Sequence, residues 1–239
     1  MARGLATRNR IKEAALELFV TKGIIGTSVR DIAAAAEIAE GGLYRHYASK
    51  EDLAWKLFSE NYATLAKELA DLAKAKSKFA DRLATMIHRF ARFFDEEPLL
   101  FRFLLLSQHQ ELPKLKSKAQ SPVQVLHRFI SDAQKNGEIE IANPDLVTAQ
   151  ILGLLLQPAT FMVYGLLAPG MQRIEAETLA ACLKVVSSPS PFKGRAGVGV
   201  ATSAALRKSS PPPTLPLKGE EFDRVGAKRR APSRARSAS

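Results

Sequence analysis

Cysteine is almost absent from this sequence of 239 residues, which contains Cys182 alone. A single thiol cannot form an internal disulfide, so the sequence excludes a disulfide-stabilised secreted scaffold and indicates a reducing compartment, the cytoplasm. Histidine is scarce as well, and the 4 histidines lack the paired Cys/His spacing of a zinc site. Because His88, His109 and His127 could bind a metal only if three helices converged on them, we predict no metal and no cofactor.

The sequence also lacks a long uninterrupted apolar run. Residues 146–172 contain no charged side chain, but polar residues and proline interrupt them before about 18 apolar residues follow one another. We interpret this segment as a fully buried helix of a soluble protein. The first residues lack the apolar core of a secretory signal, so no membrane partner is expected.

Catalytic motifs are the third absence. The sequence contains no evident pairing of a nucleophile with a base and no phosphate-binding loop. The acidic run Asp95-Glu96-Glu97 precedes Pro98 and is typical of a helix end. The sequence therefore predicts a protein that is not an enzyme, with a helical enzyme as an alternative that an activity screen would reveal.

Positive charge is abundant, but it is distributed unevenly. The formal net charge is +11. Residues 1–50 contain eight basic and five acidic residues, residues 51–186 contain sixteen of each, and residues 187–239 contain eleven basic and three acidic residues. Most of the excess therefore lies in the last segment, and the net charge alone does not establish a nucleic-acid interface.

The segment 187–239 differs in kind from the rest of the chain. It is rich in Ser, Pro, Gly, Lys and Arg, a composition that predicts disorder. The peptides at 191–194 (PFKG) and 216–219 (PLKG) could be encoded by the two arms of an inverted DNA repeat, which suggests an accidental extension of the gene. The alternative is a basic arm with non-specific affinity for nucleic acids, but the segment lacks interleaved aromatic and basic residues.

Apolar residues recur at helical spacing throughout residues 1–186, without the alternation typical of strands. We predict an all-α protein of about nine helices. The first helix is expected to begin near Thr7 and to end at Gly23. The chain is predicted to divide into residues 1–58, residues 59–186 and the tail (187–239).

Two short predicted helices, 28–36 and 39–47, have the proportions of a helix-turn-helix, in which the second helix enters the major groove of DNA. Lys50 and the free N–H groups that follow Ser49 are expected to form a phosphate site. Tyr47 is expected in the core. The predicted DNA-contacting residues are Thr27, Ser28, Arg30, Glu40, Gly41, Gly42, Tyr44, Arg45, His46 and Lys50.

Residues 7–58 resemble the DNA-binding domain of the TetR (tetracycline-repressor-type) family of bacterial transcriptional regulators. The resemblance rests on residues 11–19 (IKEAALELF), 31–33 (DIA), 41–47 (GGLYRHY) and 49–53 (SKEDL), together with Gly23 and Thr27. It implies a dimeric regulator whose DNA-binding head, residues 1–58, binds double-stranded DNA. It also implies that residues 59–186 form a ligand-binding and dimerisation domain.

Two positions depart from the family pattern. Glu37 stands where the family usually has a turn glycine, and the left-handed backbone often needed there is freely adopted only by glycine. Ala39 stands where a serine usually caps the recognition helix. The absence of the serine hydroxyl costs about 1 kcal/mol of local helix stability. Glu40 faces the groove, where it could accept from a cytosine amino group or repel phosphates.

The effector site is predicted from the aromatic and methionine residues of the central helices, which favour a small apolar or aromatic ligand. These residues are Phe58, Tyr62, Met86, Phe90, Phe93, Phe101, Phe103, Met162 and Tyr164. The last two helices are expected to pair with their copies in a homodimer, because small residues permit close approach and leucines supply burial. The predicted interface residues are Ala149, Leu152, Gly153, Leu156, Leu179, Ala180 and Leu183.

The sequence therefore predicts a ligand-responsive transcriptional repressor that binds a near-palindromic operator as a dimer. The alternative is a helical ligand-binding or interaction protein whose DNA-binding head is weakened, which Glu37 and Ala39 make conceivable.

Overall fold

The computed structural model describes residues 2–115 and 121–187, and within them the chain forms nine α-helices and no strand. This confirms the predicted all-α fold. Short 3₁₀ helices cover Leu112–Lys114 and Met171–Ile174. The α-helices are α1 Ala2–Gly26, α2 Val29–Ala35, α3 Glu40–Tyr44, α4 Lys50–Ala73, α5 Phe79–Glu96, α6 Pro98–Glu111, α7 Pro122–Lys135, α8 Pro144–Val163 and α9 Glu175–Ser187.

Helix α1 begins at Ala2, so the predicted start near Thr7 is wrong. The first turns are held by contacts distant in sequence: Arg8 and Lys12 donate to the carboxylate of Glu60 on α4, at 3.1 and 2.6 Å. At Gly23 the backbone leaves the helical conformation (φ 75°), as expected of a glycine that ends a helix. The chain then makes one more turn up to Gly26.

The caps explain where several helices begin. The hydroxyl of Ser28 accepts from the backbone N–H of Asp31, whose carboxylate accepts from the N–H of Ser28, so α2 starts with a capping box. Ser49 caps α4 and Asn143 caps α8 through their side-chain oxygens. Pro98 occupies the first turn of α6, where its missing N–H leaves no intrahelical bond unmade.

Two clusters of buried apolar side chains form the core. The first joins α1, α2 and α3 to the start of α4, to α6 and to the C-terminal ends of α5 and α8, and the second lies among α5, α7, α8 and α9. Helix α4 packs against both α1 and α7. The predicted boundary between residues 58 and 59 therefore falls inside one continuous helix that connects the two parts.

Helix α8 is buried on one side only. Ile151 and Ala159 are fully buried, whereas Leu146, Gly153 and Phe161 are exposed. The prediction of a fully buried helix is therefore wrong, because α7 and α9 cover one face of α8 and leave the other face open in the described chain. By length and composition, α8 alone among the described helices could span a membrane.

The predictions for the tail lie outside the described residues, except that Ser187 ends α9.

Candidate nucleic-acid interface and effector cavity

Helices α2 and α3 pack against each other and present one exposed face. Ile32 of α2 and Leu43 of α3 are fully buried and anchor the two helices in the first core cluster. Tyr47 is 1 % exposed, as expected for a core residue, whereas Tyr44 is 56 % exposed. Of the predicted DNA-contacting residues, the exposed ones are Ser28, Arg30, Glu40, Gly41, Tyr44 and Arg45, and the half-buried ones are Gly42, His46 and Lys50.

Thr27 does not belong to that face. Its side chain is buried, and its hydroxyl donates to the carbonyl oxygens of Gly23 at 2.7 Å and Leu18 at 3.3 Å. The hydroxyl therefore stabilises the turn between α1 and α2 and is not available to a phosphate. This position corrects the sequence prediction, which placed Thr27 among the DNA-contacting residues.

Lys50 joins the start of α4 to the same turn. Its ammonium group donates to the carbonyl oxygen of Thr27 at 2.7 Å and lies 3.8 Å from the carboxylate of Glu51, and its side chain is 17 % exposed. The sequence suggested only a phosphate contact for this lysine. A hydrogen bond to a carbonyl more than twenty residues away leaves no local signal in the sequence.

The turn between α2 and α3 contains an unfavourable residue. Glu37 has a φ of 54° and is the one non-glycine residue with positive φ among the described residues. The N–H groups of Ile38 and Glu37 bond to the carbonyls of Ala33 and Ala34 at 3.0 and 3.1 Å, a C-terminal cap that favours glycine. Ala39 begins α3 without a side-chain cap, so both departures inferred from the sequence have structural counterparts.

Charged groups attach α1 to α4 behind this face. Arg8 donates to the hydroxyl of Tyr47 at 3.4 Å as well as to Glu60, and the hydrogen bond to Tyr47 raises the pKa of the guanidinium. The Lys56 ammonium and the Ala48 N–H both donate to Asp52 and lower the pKa of its carboxyl group. The Arg8 bonds fix α1 on the helix that continues into the bundle, whereas the Asp52 bonds stabilise the first turns of that helix.

An apolar cavity of about 120 Å³ lies between the helices of the bundle. Of the predicted pocket residues, Tyr62, Met86, Phe90, Phe93 and Phe101 line it. The other lining residues are Leu65, Leu69, Leu83, Ile87, Leu104, Leu105, Gln108, Pro122, Val123, Leu126, Ile151, Leu152, Leu155 and Leu156. Burial raises the pKa of the Tyr62 hydroxyl.

Four predicted pocket residues lie elsewhere. Phe58 is buried between Trp55 and Tyr62, with ring centroids 6.4 and 4.9 Å away. Phe103 stacks on Phe19 of α1 at 6.0 Å. Met162 is buried in the first core cluster and Tyr164, after the end of α8, is exposed. The residues that fill the core and those that line the cavity have the same chemistry, so residue type alone does not separate them.

The open face of α8 and α9 contains the small residues predicted for the dimer. Ala149, Gly153 and Ala180 are exposed. Leu179 and Leu183 are half-buried and pack against the second core cluster. Leu152 and Leu156 face the cavity instead, because the apolar residues of α8 occupy more than one side of the helix.

The histidines do not assemble into a metal site within the described part of the chain. His88 lies 3.0 Å from the carboxylate of Glu175, and His127 lies 2.8 Å from that of Asp145. Across residues 2–115 and 121–187, no cluster of three or more His, Cys, Asp or Glu residues could hold a metal ion.

Known proteins resemble both parts of the chain. The family model described as bacterial regulatory proteins, tetR family, matches residues 11–60. UidR of Escherichia coli, an HTH-type transcriptional regulator, is 28% identical over 176 residues, which are 73% of this chain and 84% of UidR. The Mycobacterium tuberculosis regulator MftR, whose name refers to mycofactocin biosynthesis, is 36% identical over 96 residues, 40% of this chain. The chain spans about half of MftR (48%).

Solved structures share the fold at low sequence identity. FadR of Bacillus halodurans, a fatty acid degradation regulator, has a TM-score of 0.65 at 18% identity, over 74% of this chain and 94% of FadR. FadR of Bacillus subtilis, solved in complex with stearoyl-CoA, has a TM-score of 0.60 at 20% identity, over 74% and 97%. Given the helix-turn-helix and the match over residues 11–60, this chain contains a DNA-binding domain of the tetR family of bacterial regulatory proteins, and its helical bundle shares the fold of these solved regulators.

Proposed function

We propose that this protein is a homodimeric repressor whose binding to a near-palindromic operator is controlled by a small apolar or aromatic effector. The observation that carries the proposal is one continuous helix, α4, whose first half holds the DNA-binding head and whose second half lines the cavity. Such a regulator works in the cytoplasm, where it meets DNA, and requires neither an enzymatic activity nor a cofactor.

The DNA contacts are proposed for the exposed face of α2 and α3. Gly41 and Gly42 lack side chains and allow the backbone of α3 to approach the major groove. Tyr44 and Arg45 extend from α3 into solvent and can donate to phosphates. The exposed carboxylate of Glu40, at the start of α3, can accept from a base edge, so Glu40 is proposed to influence sequence preference.

The dimer is proposed for the open face of α8 and α9. Leu146 and Phe161 are exposed there, and Ala149, Gly153 and Ala180 permit close helix approach. Burial of such a face by a second copy is favourable because it removes apolar surface from water. Two heads arranged by this interface would reach successive major grooves, about 34–36 Å apart.

The effector is proposed to act through α4. Tyr62, Leu65 and Leu69 line the cavity, and Glu60, less than one turn before Tyr62, holds Arg8 and Lys12 of α1. A ligand that binds one position of α4 better than another shifts the population of head orientations. The separation of the two recognition helices then changes, and the affinity for the operator changes with it.

A gel-shift with the DNA that flanks the gene of this protein tests the proposal. Wild-type protein is expected to bind, and the double variant Tyr44→Ala/Arg45→Ala to bind weakly whatever the sequence of the DNA, because phosphate contacts carry no sequence information. Arg102→Ala, at an exposed position of α6, is the matched control and should bind like wild type. Undiminished binding by the double variant would contradict the proposed interface.

The second candidate is a ligand-binding or interaction protein with a weakened head. It is favoured by the left-handed Glu37 and by the uncapped start of α3 at Ala39. If the wild-type protein ignores the flanking DNA but binds apolar ligands in its cavity, this candidate replaces the repressor.

A further inference from the structure

The cavity itself limits the chemistry of the effector. We propose that the effector is a small neutral ring compound with one hydrogen-bonding group, with its ring in the apolar part of the cavity and its polar group on Tyr62 and Gln108. The inference rests on the proposed function, because it takes the cavity to be the effector site.

Size is the first constraint. The cavity has a volume of about 120 Å³. An engineered apolar cavity of about 150 Å³ in another protein stays dry and binds benzene, whereas sites for drug-sized ligands occupy about 300–1,000 Å³. A single six-membered ring therefore matches the space, and a long acyl chain does not fit unless the helices move apart.

The absence of charge is the second constraint. None of the described residues that line the cavity is Lys, Arg, His, Asp or Glu. A carboxylate or phosphate moved from water into such a site loses its hydration and gains no partner of opposite charge. The described lining therefore discriminates against acids and against coenzyme A esters.

The lining favours a ring over a flexible chain. Phe101 meets Phe90 and Phe93 edge to face, with centroids 5.4 and 5.5 Å apart. Edge-to-face contacts between aromatic rings are favourable beyond the area they bury. A ligand ring placed among these side chains can join the same arrangement.

Two polar side chains define where the ligand's hydrogen-bonding group lies. Tyr62 on α4 and Gln108 on α6 line the cavity, and these two helices pack directly against each other. Within the described residues, neither side chain hydrogen-bonds to another group, and Tyr62 is held by stacking on Phe58 with ring centroids 4.9 Å apart. The phenol and the amide can each donate and accept, so a ligand hydroxyl or carbonyl finds partners on both helices.

The test is calorimetric titration of the full chain with five probes: phenol, cyclohexanol, toluene, benzoate and stearoyl-CoA. Phenol and cyclohexanol are expected to bind. Toluene should bind about tenfold more weakly, the value of roughly one hydrogen bond, and benzoate and stearoyl-CoA should not bind measurably. Phenol should also change the amount of flanking DNA that the protein shifts in a gel.

Variants connect the binding to the cavity. The double variant Tyr62→Phe/Gln108→Leu should remove the preference for phenol over toluene. The control Gln110→Leu, at an exposed position of α6, the helix that contains Gln108, should keep this preference. Leu155→Phe places a larger side chain into the cavity and should weaken phenol and toluene alike.

The outcomes separate the two proposals. Binding of benzoate or stearoyl-CoA as tight as that of phenol, or phenol binding untouched by Leu155→Phe, overturns the inference. So does a failure of phenol and cyclohexanol to bind at all. If another class of compound then releases the flanking DNA, the proposed function stands without the inference. If the protein never binds that DNA, the proposed function fails, whatever the probes do.

Discussion

Glu37 offers a direct test of the local energetics of the helix-turn-helix. Its φ of 54° places a side chain in the left-handed region, which costs a non-glycine residue about 1–2 kcal/mol. Glycine avoids this cost, but the greater backbone freedom of glycine in the unfolded chain lowers the free energy of unfolding by about 0.5–1 kcal/mol. Glu37→Gly is therefore expected to raise the free energy of unfolding by about 0.5–1 kcal/mol, from the difference between these two effects.

The side chain of Glu37 adds little to this balance. Its carboxylate lies 3.8 Å from Arg10 and is 85% exposed, and an ion pair of this kind is worth about 0–1 kcal/mol. Glu37→Ala is the matched control, because it removes the same charge but keeps a Cβ in the left-handed conformation. We expect its stability to be close to that of wild type.

Thermal denaturation of the three proteins measures the effect. A gain of about 0.5–1 kcal/mol corresponds to about 1–4 °C in Tm for a domain of this size. Both variants remove a negative charge near the proposed DNA face, so both should bind DNA somewhat more tightly, whereas Glu37→Gly alone should melt higher. Equal melting temperatures for the glycine and alanine variants would refute the reasoning, since backbone strain would then not contribute.

Three further outcomes are expected. Ala39→Ser should raise stability by about 1 kcal/mol because it supplies the missing N-cap of α3, and Ser28→Ala should lower it by about 1 kcal/mol because the capping box is lost; both are measured by urea denaturation. The pKa values of Asp31 and Asp52 lie below their ordinary value of 3.8. The stability that these two ionised carboxylates give to the folded protein is therefore present above about pH 4 and is lost as the pH falls through their lowered pKa values. Acid titration followed by circular dichroism measures this loss.

Controls make each of these outcomes decisive. A serine at position 39 that leaves stability unchanged would mean that the start of α3 is held by packing alone. For Ser28, a Ser28→Thr variant should retain most of the cap, and an equal loss in both variants would point to packing instead of capping. For the acid transition, the backbone N–H of Ser28 donates to Asp31 and lowers the pKa of its carboxyl group. Asp31→Asn should therefore show a smaller loss of stability below pH 4 than wild type, and an unchanged profile would contradict this contribution of Asp31.

The order of the helices and several of their ends could be predicted from the sequence. Ser28, Ser49 and Asn143 cap their helices through side-chain oxygens, and such a cap involves residues only three apart in the chain. The prediction that Tyr47 is buried also holds, and Tyr44, predicted to contact DNA, lies exposed on the face where DNA is proposed to bind. Such predictions depend on periodicity and on local hydrogen bonds, which the order of residues specifies directly.

The predictions that were wrong concern residues whose positions depend on contacts between distant segments of the chain. The N-terminal part of α1 is held by Glu60, and Thr27 is buried against the end of α1. Phe103 fills the core, whereas Phe101 lines the cavity, although both belong to the same helix. An apolar stripe shows which face of a helix is buried, but it does not show whether that face packs against other side chains or lines a cavity.

The sequence by itself determined the class of fold, the helix-turn-helix and the two weak positions in its turn. The tertiary structure decided which apolar residues surround empty space and which pack against one another. It also decided that α8 is buried on one face only, and that Lys50 bonds to Thr27 across the turn. The physical reason is the sequence separation of the interacting residues. Helix formation and capping involve residues within about one helical turn of each other, whereas cavities and open faces result from the way complete helices pack.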